Sequence, residues 1–155
     1  MLVSLWIVFL IVIISMVVRR MLSDSYNLSF QNYGKTDIPY ITIDIQGRPF
    51  NFIVDTGCGM SIIASEFLDG IEFRHSQRQI QLSAITSDAI NSNVVTIPIN
   101  VRGKAVDEDF AVYGESDIAN FQVHYGITIH GILGNEFFEK TGCQIDYKNH
   151  IVVFP

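Results

Sequence analysis

From residue 41 onward the chain alternates apolar and polar residues with a period of two, and no other feature limits its fold as strongly. Ile41, Ile43 and Ile45 alternate with Thr42, Asp44 and Gln46, which puts the two sets on opposite faces of a strand. Gln46-Gly47-Arg48 supplies a turn and Phe50 to Val54 returns, so the first unit is a β-hairpin whose second strand ends at Asp55. Ile80, Leu82 and Ala84 against Gln79, Gln81 and Ser83 write another strand. Ile85 to Ala89 reads as a turn, and Ile90, Val95, Ile97, Ile99 and Val101 resume the alternation. Pro98 lies on the other face and, lacking an N–H, predicts an edge or a break in the ladder. Arg102-Gly103-Lys104 turns into Val106 to Tyr113, while Gly114 to Tyr125 has no regular pattern. After residue 35 only the short Asn135 to Lys140 has helical character. Such a chain is mainly β, and about 120 residues of it can bury one core as a barrel or compact sandwich.

The amino terminus obeys a different rule. Leu2 to Val18 carries no charge and only two serines. At 1.5 Å per residue, with Met1 and a snorkelling Arg19 included, that run spans a hydrocarbon core of about 30 Å. A cleaved secretory signal fits less well, because no Lys or Arg precedes the run and no small-x-small site follows it. The expected organisation is a transmembrane anchor over 1–20, a polar linker over 21–36 that could hold a loosely bound first strand, and one domain over 37–155. Arg19 and Arg20 follow the span directly, which puts the domain on the cytoplasmic side by the positive-inside rule. Two cysteines, Cys58 and Cys143, are too few for a disulfide framework. The net charge of −6 argues against a nucleic-acid partner. Asn27-Leu28-Ser29 matches a glycosylation acceptor, which a cytoplasmic face would leave unused.

Chemistry enters where the first hairpin ends. In Phe52-Ile53-Val54-Asp55-Thr56-Gly57-Cys58-Gly59-Met60-Ser61 a strand-like run stops at an acid, a hydroxyl residue and a glycine. A carboxylate is thus presented at the end of a rigid element, with Gly57 and Gly59 permitting close backbone approach. Alone, the tripeptide is equally a strand-end turn. A second stretch, Ile129-His130-Gly131-Ile132-Leu133-Gly134-Asn135-Glu136-Phe137-Phe138, sets an apolar pair and a glycine before the short helix. A small residue inside an apolar strand lets two backbones pass closely, as a buttress under an acid-bearing loop requires.

With both stretches in place the chain resembles a retroviral-type, retropepsin-like aspartic peptidase, from about Asp37 to Phe154. The family's pattern is an apolar strand into Asp-Thr-Gly, met here by Asp55, Thr56 and Gly57, followed by apolar-apolar-Gly and a short helix. Ile132, Leu133 and Gly134 are that second element, and the run through Gly142-Cys143 into Gln144 to Tyr147 continues the likeness. The resemblance implies a closed β-barrel protomer with one short C-terminal helix, here behind an N-terminal transmembrane helix. It also implies half an active site per chain. The sequence holds one Asp-Thr-Gly and no Asp-Ser-Gly, so two chains must meet as a homodimer acting on a peptide or protein substrate, a meeting that a membrane would favour. Two Asp55 carboxylates about 3 Å apart cannot both ionise. One then acts as general base on a bound water and the other as general acid toward the scissile carbonyl.

By the same resemblance Thr56 bonds across the dimer and Gly57 lies beside the extended substrate. The flap falls in Gln79 to Val95, with Ala84, Ile85, Thr86 and Ser87 at its tip. That tip has no glycine, and Asn91-Ser92-Asn93 is a competing turn. Viral enzymes carry an acid two residues after the glycine of Asp-Thr-Gly and an arginine after the apolar-apolar-Gly, bound to each other. This chain has Gly59 and Asn135 there, a matched loss that strands no buried charge. Cys58 fits a small packed residue better than a groove thiol or an oxidation switch. His75, His124, His130 and His150 lack metal-ligand spacing, and neither a metal nor another cofactor is expected. Ile151 to Phe154 is placed to form a terminal hairpin with Gln144 to Tyr147. The competing reading is a catalytically silent domain of the same fold that binds extended peptides or dimerises at the membrane.

Overall fold

The computed structural model describes residues 9–16, 27–29, 31–33, 36–82, 90–114 and 127–155. Two tight hairpins start the barrel. β3 (Thr36–Ile45) pairs with β4 (Arg48–Val54) across Gln46 and Gly47, and β7 (Ile90–Val101) with β8 (Lys104–Tyr113) across Arg102 and Gly103. All four loop residues have positive φ, at 53°, 81°, 61° and 80°, the geometry whose twist matches a two-residue hairpin. Each turn is held by a side chain two residues before its loop pair. Asp44 Oδ1 accepts from the Gly47 N–H at 3.0 Å, and Asn100 Oδ1 from the Gly103 N–H at 2.7 Å. Asp44 and Asn100 are also the residues that pair β3 with β7.

That pairing closes a ring. With β5 (Ser61–Ala64), β6 (Arg74–Leu82) and β9 (Gly131–Leu133), the strands run β3-β4-β9-β5-β8-β7 and back to β3. A six-stranded barrel results, with β2 (Gln31–Tyr33) appended to β3 and β6 to β7. Its interior holds the alternating set: Ile41, Ile43, Ile45, Phe50, Phe52, Ile97, Ile99 and Phe110 are all at most 2% exposed. The helix α1 (Asn135–Thr141) closes the core with Phe137 and Phe138. It stops at Gly142, in the left-handed region at φ 63°, whose N–H returns to the Phe138 and Glu139 carbonyls.

Pro98 sits where its missing donor does no harm. It is exposed and aligned with Asp107 of β8, while on the other side the pairing with β6 ends at Thr96, so the strand is an edge there as expected. The polar stretch 21–36 is not only a linker. β1 (Asn27–Ser29) and β2 fall inside it, β1 pairing with β11 (Ile151–Val153) and β2 with β3. β11 also pairs with β10 (Gln144–Asp146), so the expected terminal hairpin forms and gains a third strand. Only the fold brings residues so distant in sequence together, so local pattern could not reveal β1.

Most of the expected transmembrane helix over 1–20 lies outside the described residues. Among the described residues no helix is long and apolar enough to cross a membrane. Residues 9–16 are helical, with Phe9, Leu10, Ile11 and Ile14 more than half exposed, and the rest of that stretch lies outside the described residues.

Candidate active site

Asp55 ends β4, and its surroundings are built almost wholly from main-chain bonds. β9 runs parallel to β4, with Ile53 opposite Ile132 and Val54 opposite Leu133, and antiparallel to β5, with Ile62 opposite Ile132. The Asp55 N–H continues the first ladder by donating to Leu133 O at 3.1 Å. The chain then turns back, the Cys58 N–H donating to Asp55 O at 3.1 Å. In this turn the Gly57 N–H donates to Asp55 Oδ1 at 2.8 Å, leaving the exposed carboxylate oriented rather than free to rotate. Thr56 and Gly57 are exposed beside it. The contact across a dimer expected of Thr56 is one that a single chain cannot make.

The apolar-Gly motif lies beneath this loop as the sequence suggests, with a second glycine that the sequence reading passed over. A Cβ on Gly131 would fall 2.0 Å from Ile62 O, and one on Gly134 2.5 Å from Met60 C and O; side chains never come so close. Both positions therefore let β9 and the start of α1 press against the strand leaving the loop. There the Asn135 N–H donates to Cys58 O at 2.7 Å and the Glu136 N–H to Gly59 O at 3.0 Å. Asn135 Nδ2 donates to Glu139 Oε1 at 2.7 Å along its own helix, and a Cβ on Gly59 would meet nothing. The loop and α1 are thus joined at this point by backbone bonds and not by an ion pair.

A polar cluster under the loop escaped the sequence reading. Ser61 Oγ donates to Glu108 Oε1 at 2.8 Å and accepts from the Gly134 N–H at 3.2 Å, and Lys140 Nζ donates to Glu108 Oε2 at 2.9 Å. Its one signal in the sequence is that Glu108 shares strand parity with Val106 and Phe110, an acid on the inward register. Burial pushes its carboxyl above the ordinary range, against bonds from Lys140 and Ser61.

Cys58 is half-buried and donates through Sγ to Met60 O at 3.0 Å. Burial and then the nearby Asp55 charge push the thiol up, opposed by that bond, which suits packing rather than nucleophilic chemistry. His130 accepts the Asn51 N–H at Nδ1 at 3.0 Å and lies between the rings of Phe50 and Phe67, at 4.6 and 4.4 Å. Burial foremost, and the charge of Arg48 with it, push its pKa down. The flap tip, Ala84, Ile85, Thr86 and Ser87, lies outside the described residues. The stems of its hairpin, β6 and β7, pair from Arg74 with Thr96 to Leu82 with Ile90, through a register shift between His75 and Gln79.

A strand-end aspartate in a Gly-braced turn over a paired apolar-Gly strand is an arrangement that a sequence profile can be tested against. The profile of a family described as Aspartyl protease matches residues 41–137, well over half of the chain and both halves of this site. The chain belongs to the aspartyl protease family. Among solved structures the chain is similar to the retroviral protease-like domain of Ddi1 from Leishmania major, at 16% identity and a TM-score of 0.47, covering 76% of this chain and 94% of that one. It is also similar to the EIAV protease in complex with the inhibitor HBY-793, at 16% identity and a TM-score of 0.49, covering 75% and 99%. No curated protein matches it.

Proposed function

We propose that this aspartyl protease is a membrane-anchored, homodimeric endopeptidase of retropepsin type, with one Asp55 from each protomer in a shared active site. The observation that carries the reading is the exposed Asp55 carboxylate, held at one oxygen by the Gly57 N–H and on a backbone tied to Leu133. Such a group is half of an acid–base pair. Water attacks the scissile carbonyl carbon as its proton passes to the ionised Asp55, while the protonated Asp55 donates to the carbonyl oxygen. Breakdown of the tetrahedral intermediate returns a proton to the leaving amine. No covalent intermediate forms on the enzyme. Membrane attachment draws support from the uncharged Leu2–Val18 run and from the exposed apolar side chains of the helix over 9–16. Confinement to a plane raises the effective concentration of the second protomer.

A second reading, a silent domain that binds extended peptides or dimerises, is favoured by the glycine-free run Ala84 to Ala89. One experiment separates the two. The dimeric protein is incubated with a diverse peptide library from acidic to neutral pH, beside Asp55→Asn. Cleavage present in the wild type, absent in the variant and blocked by a transition-state mimic supports the peptidase. A folded dimer that binds peptides and cleaves none supports the silent domain.

A further inference from the structure

Glu108 is 1% exposed and carries the one buried carboxylate among the described residues. Both of its oxygens are engaged, Oε1 by the Ser61 hydroxyl and Oε2 by Lys140 Nζ. The Ser61 hydroxyl has a single proton and directs it to Glu108, so its lone pairs face the Gly134 N–H, 3.2 Å away. Three elements meet at this carboxylate: β5, which leaves the Asp55 loop; the glycine that buttresses the loop; and the last turn of α1. The remaining ties between loop and helix are two main-chain bonds, from the Asn135 and Glu136 N–H groups to Cys58 O and Gly59 O.

We propose that Glu108 is a positioning residue: ionised and paired with Lys140, it fixes the direction of the Ser61 hydroxyl and so holds the Asp55 loop against the start of α1. The catalytic consequence rests on the peptidase reading; the positioning does not. A protonated Glu108 loses its ion pair with Lys140 and can donate to Ser61 Oγ. The Ser61 proton is then no longer drawn to Glu108, the hydroxyl loses its fixed direction, and the link to the Gly134 N–H weakens. The charged groups around Glu108 are Lys140 from α1 and, on its own strand, Asp107 and Asp109. Arg74 of β6 pairs with Asp107, and Arg78 of β6 pairs with Asp109 and with Glu136 of α1. Because burial raises the Glu108 carboxyl and Lys140 opposes it, the link is present above the folded-state pKa and lost as pH falls through it.

The test is amide hydrogen exchange on the full chain in detergent micelles, expressed as protection factors from pH 4 to 8. The probes are Gly134, Asn135 and Glu136, with Ile43 and Phe52 as barrel references. In Glu108→Gln the three probe amides lose about tenfold in protection while the references stay within about twofold. In the wild type the same loss appears on acidification, and Lys140→Met moves its midpoint upward by about one pH unit, since the opposing cation is gone. Protection unchanged in Glu108→Gln, a loss shared equally by the references, or a midpoint that Lys140→Met leaves in place would each overturn the proposal. Where Glu108→Gln fails to fold, Ser61→Ala and Lys140→Met decide it by the same probes. With a cleavable peptide, Glu108→Gln lowers kcat with little change in KM. A wild type that cleaves nothing counts against the peptidase reading alone, because the exchange result stands without it.

Discussion

Gly134 faces the Met60 peptide so closely that a Cβ at its position would lie 2.5 Å from the Met60 carbonyl carbon and oxygen. The contact joins the two sequence motifs of the site, because Met60 leaves the Asp55 loop and Gly134 ends the apolar-Gly strand. Backbone can approach backbone like this only where no side chain intervenes.

The replacement Gly134→Ala is accordingly expected to destabilise the fold by about 3 kcal/mol, as overpacking against immovable backbone does. Gly131→Ala, with Ile62 O at 2.0 Å from the added carbon, is expected to be at least as severe. Gly59→Ala, whose added carbon would meet nothing, is expected to change stability by no more than about 0.5 kcal/mol. Urea unfolding of the three variants gives the order, and equal losses at positions 59 and 134 would contradict the close-contact argument.

Asp55→Asn is expected to leave stability within about 0.5 kcal/mol, since the side chain is exposed and an amide oxygen still accepts the Gly57 N–H. Peptide cleavage should fall by about 10²–10⁴-fold or more, the usual range for a lost acid–base group. Unfolding curves that superimpose, alongside abolished cleavage, are the expected result; retained cleavage would remove Asp55 from the chemistry.

His130 makes stability depend on pH in a defined direction. Its folded-state pKa is depressed, so below about 6.5 the unfolded chain takes up a proton that the folded chain refuses. The contribution is therefore complete above that pH and is lost as pH falls through the folded-state value. Protonation at Nδ1 would also displace the Asn51 N–H. Replacing His130 with Gln should flatten the decline in unfolding free energy between pH 7 and pH 5. A decline equally steep in both proteins would assign it elsewhere.

Cys58 reports on the charge of Asp55. Burial and that carboxylate both raise the thiol pKa, so alkylation near neutral pH should be slow beside an unfolded control. In Asp55→Asn the coulombic part disappears and labelling should quicken, by no more than about tenfold. Mass spectrometry of timed iodoacetamide reactions measures this. An unchanged rate would mean that burial alone sets the reactivity.

The sequence disclosed what depends on neighbours along the chain. Alternation marks which side of Ile41–Ile45 and Val95–Val101 faces inward, and the Gln46-Gly47 and Arg102-Gly103 pairs set two turns with positive φ. It also marked Asp55 and the Ile132-Leu133-Gly134 element, because a strand stopping at Asp-Thr-Gly and a glycine after two apolar residues are both local patterns. The pairing of those two motifs was an expectation until Val54 was found opposite Leu133.

Other features had no local signature. The pairing of Asn27–Ser29 with Ile151–Val153 joins the two ends of the domain, and the closure of the barrel rests on Asp44 meeting Asn100. The Glu108 cluster is the sharpest case. Its four residues lie on β5, β8, the end of β9 and α1; the inward parity of Glu108 and the motif glycine Gly134 were each visible in the sequence, but nothing local said that they meet Ser61 and Lys140. Sequence by itself determined the class of the fold and the place of its acid, since strand period and turn chemistry act over a few residues. Only the tertiary structure decided how that acid is held, since hydrogen bonds and close contacts depend on which distant segments the closed barrel brings within about 3 Å.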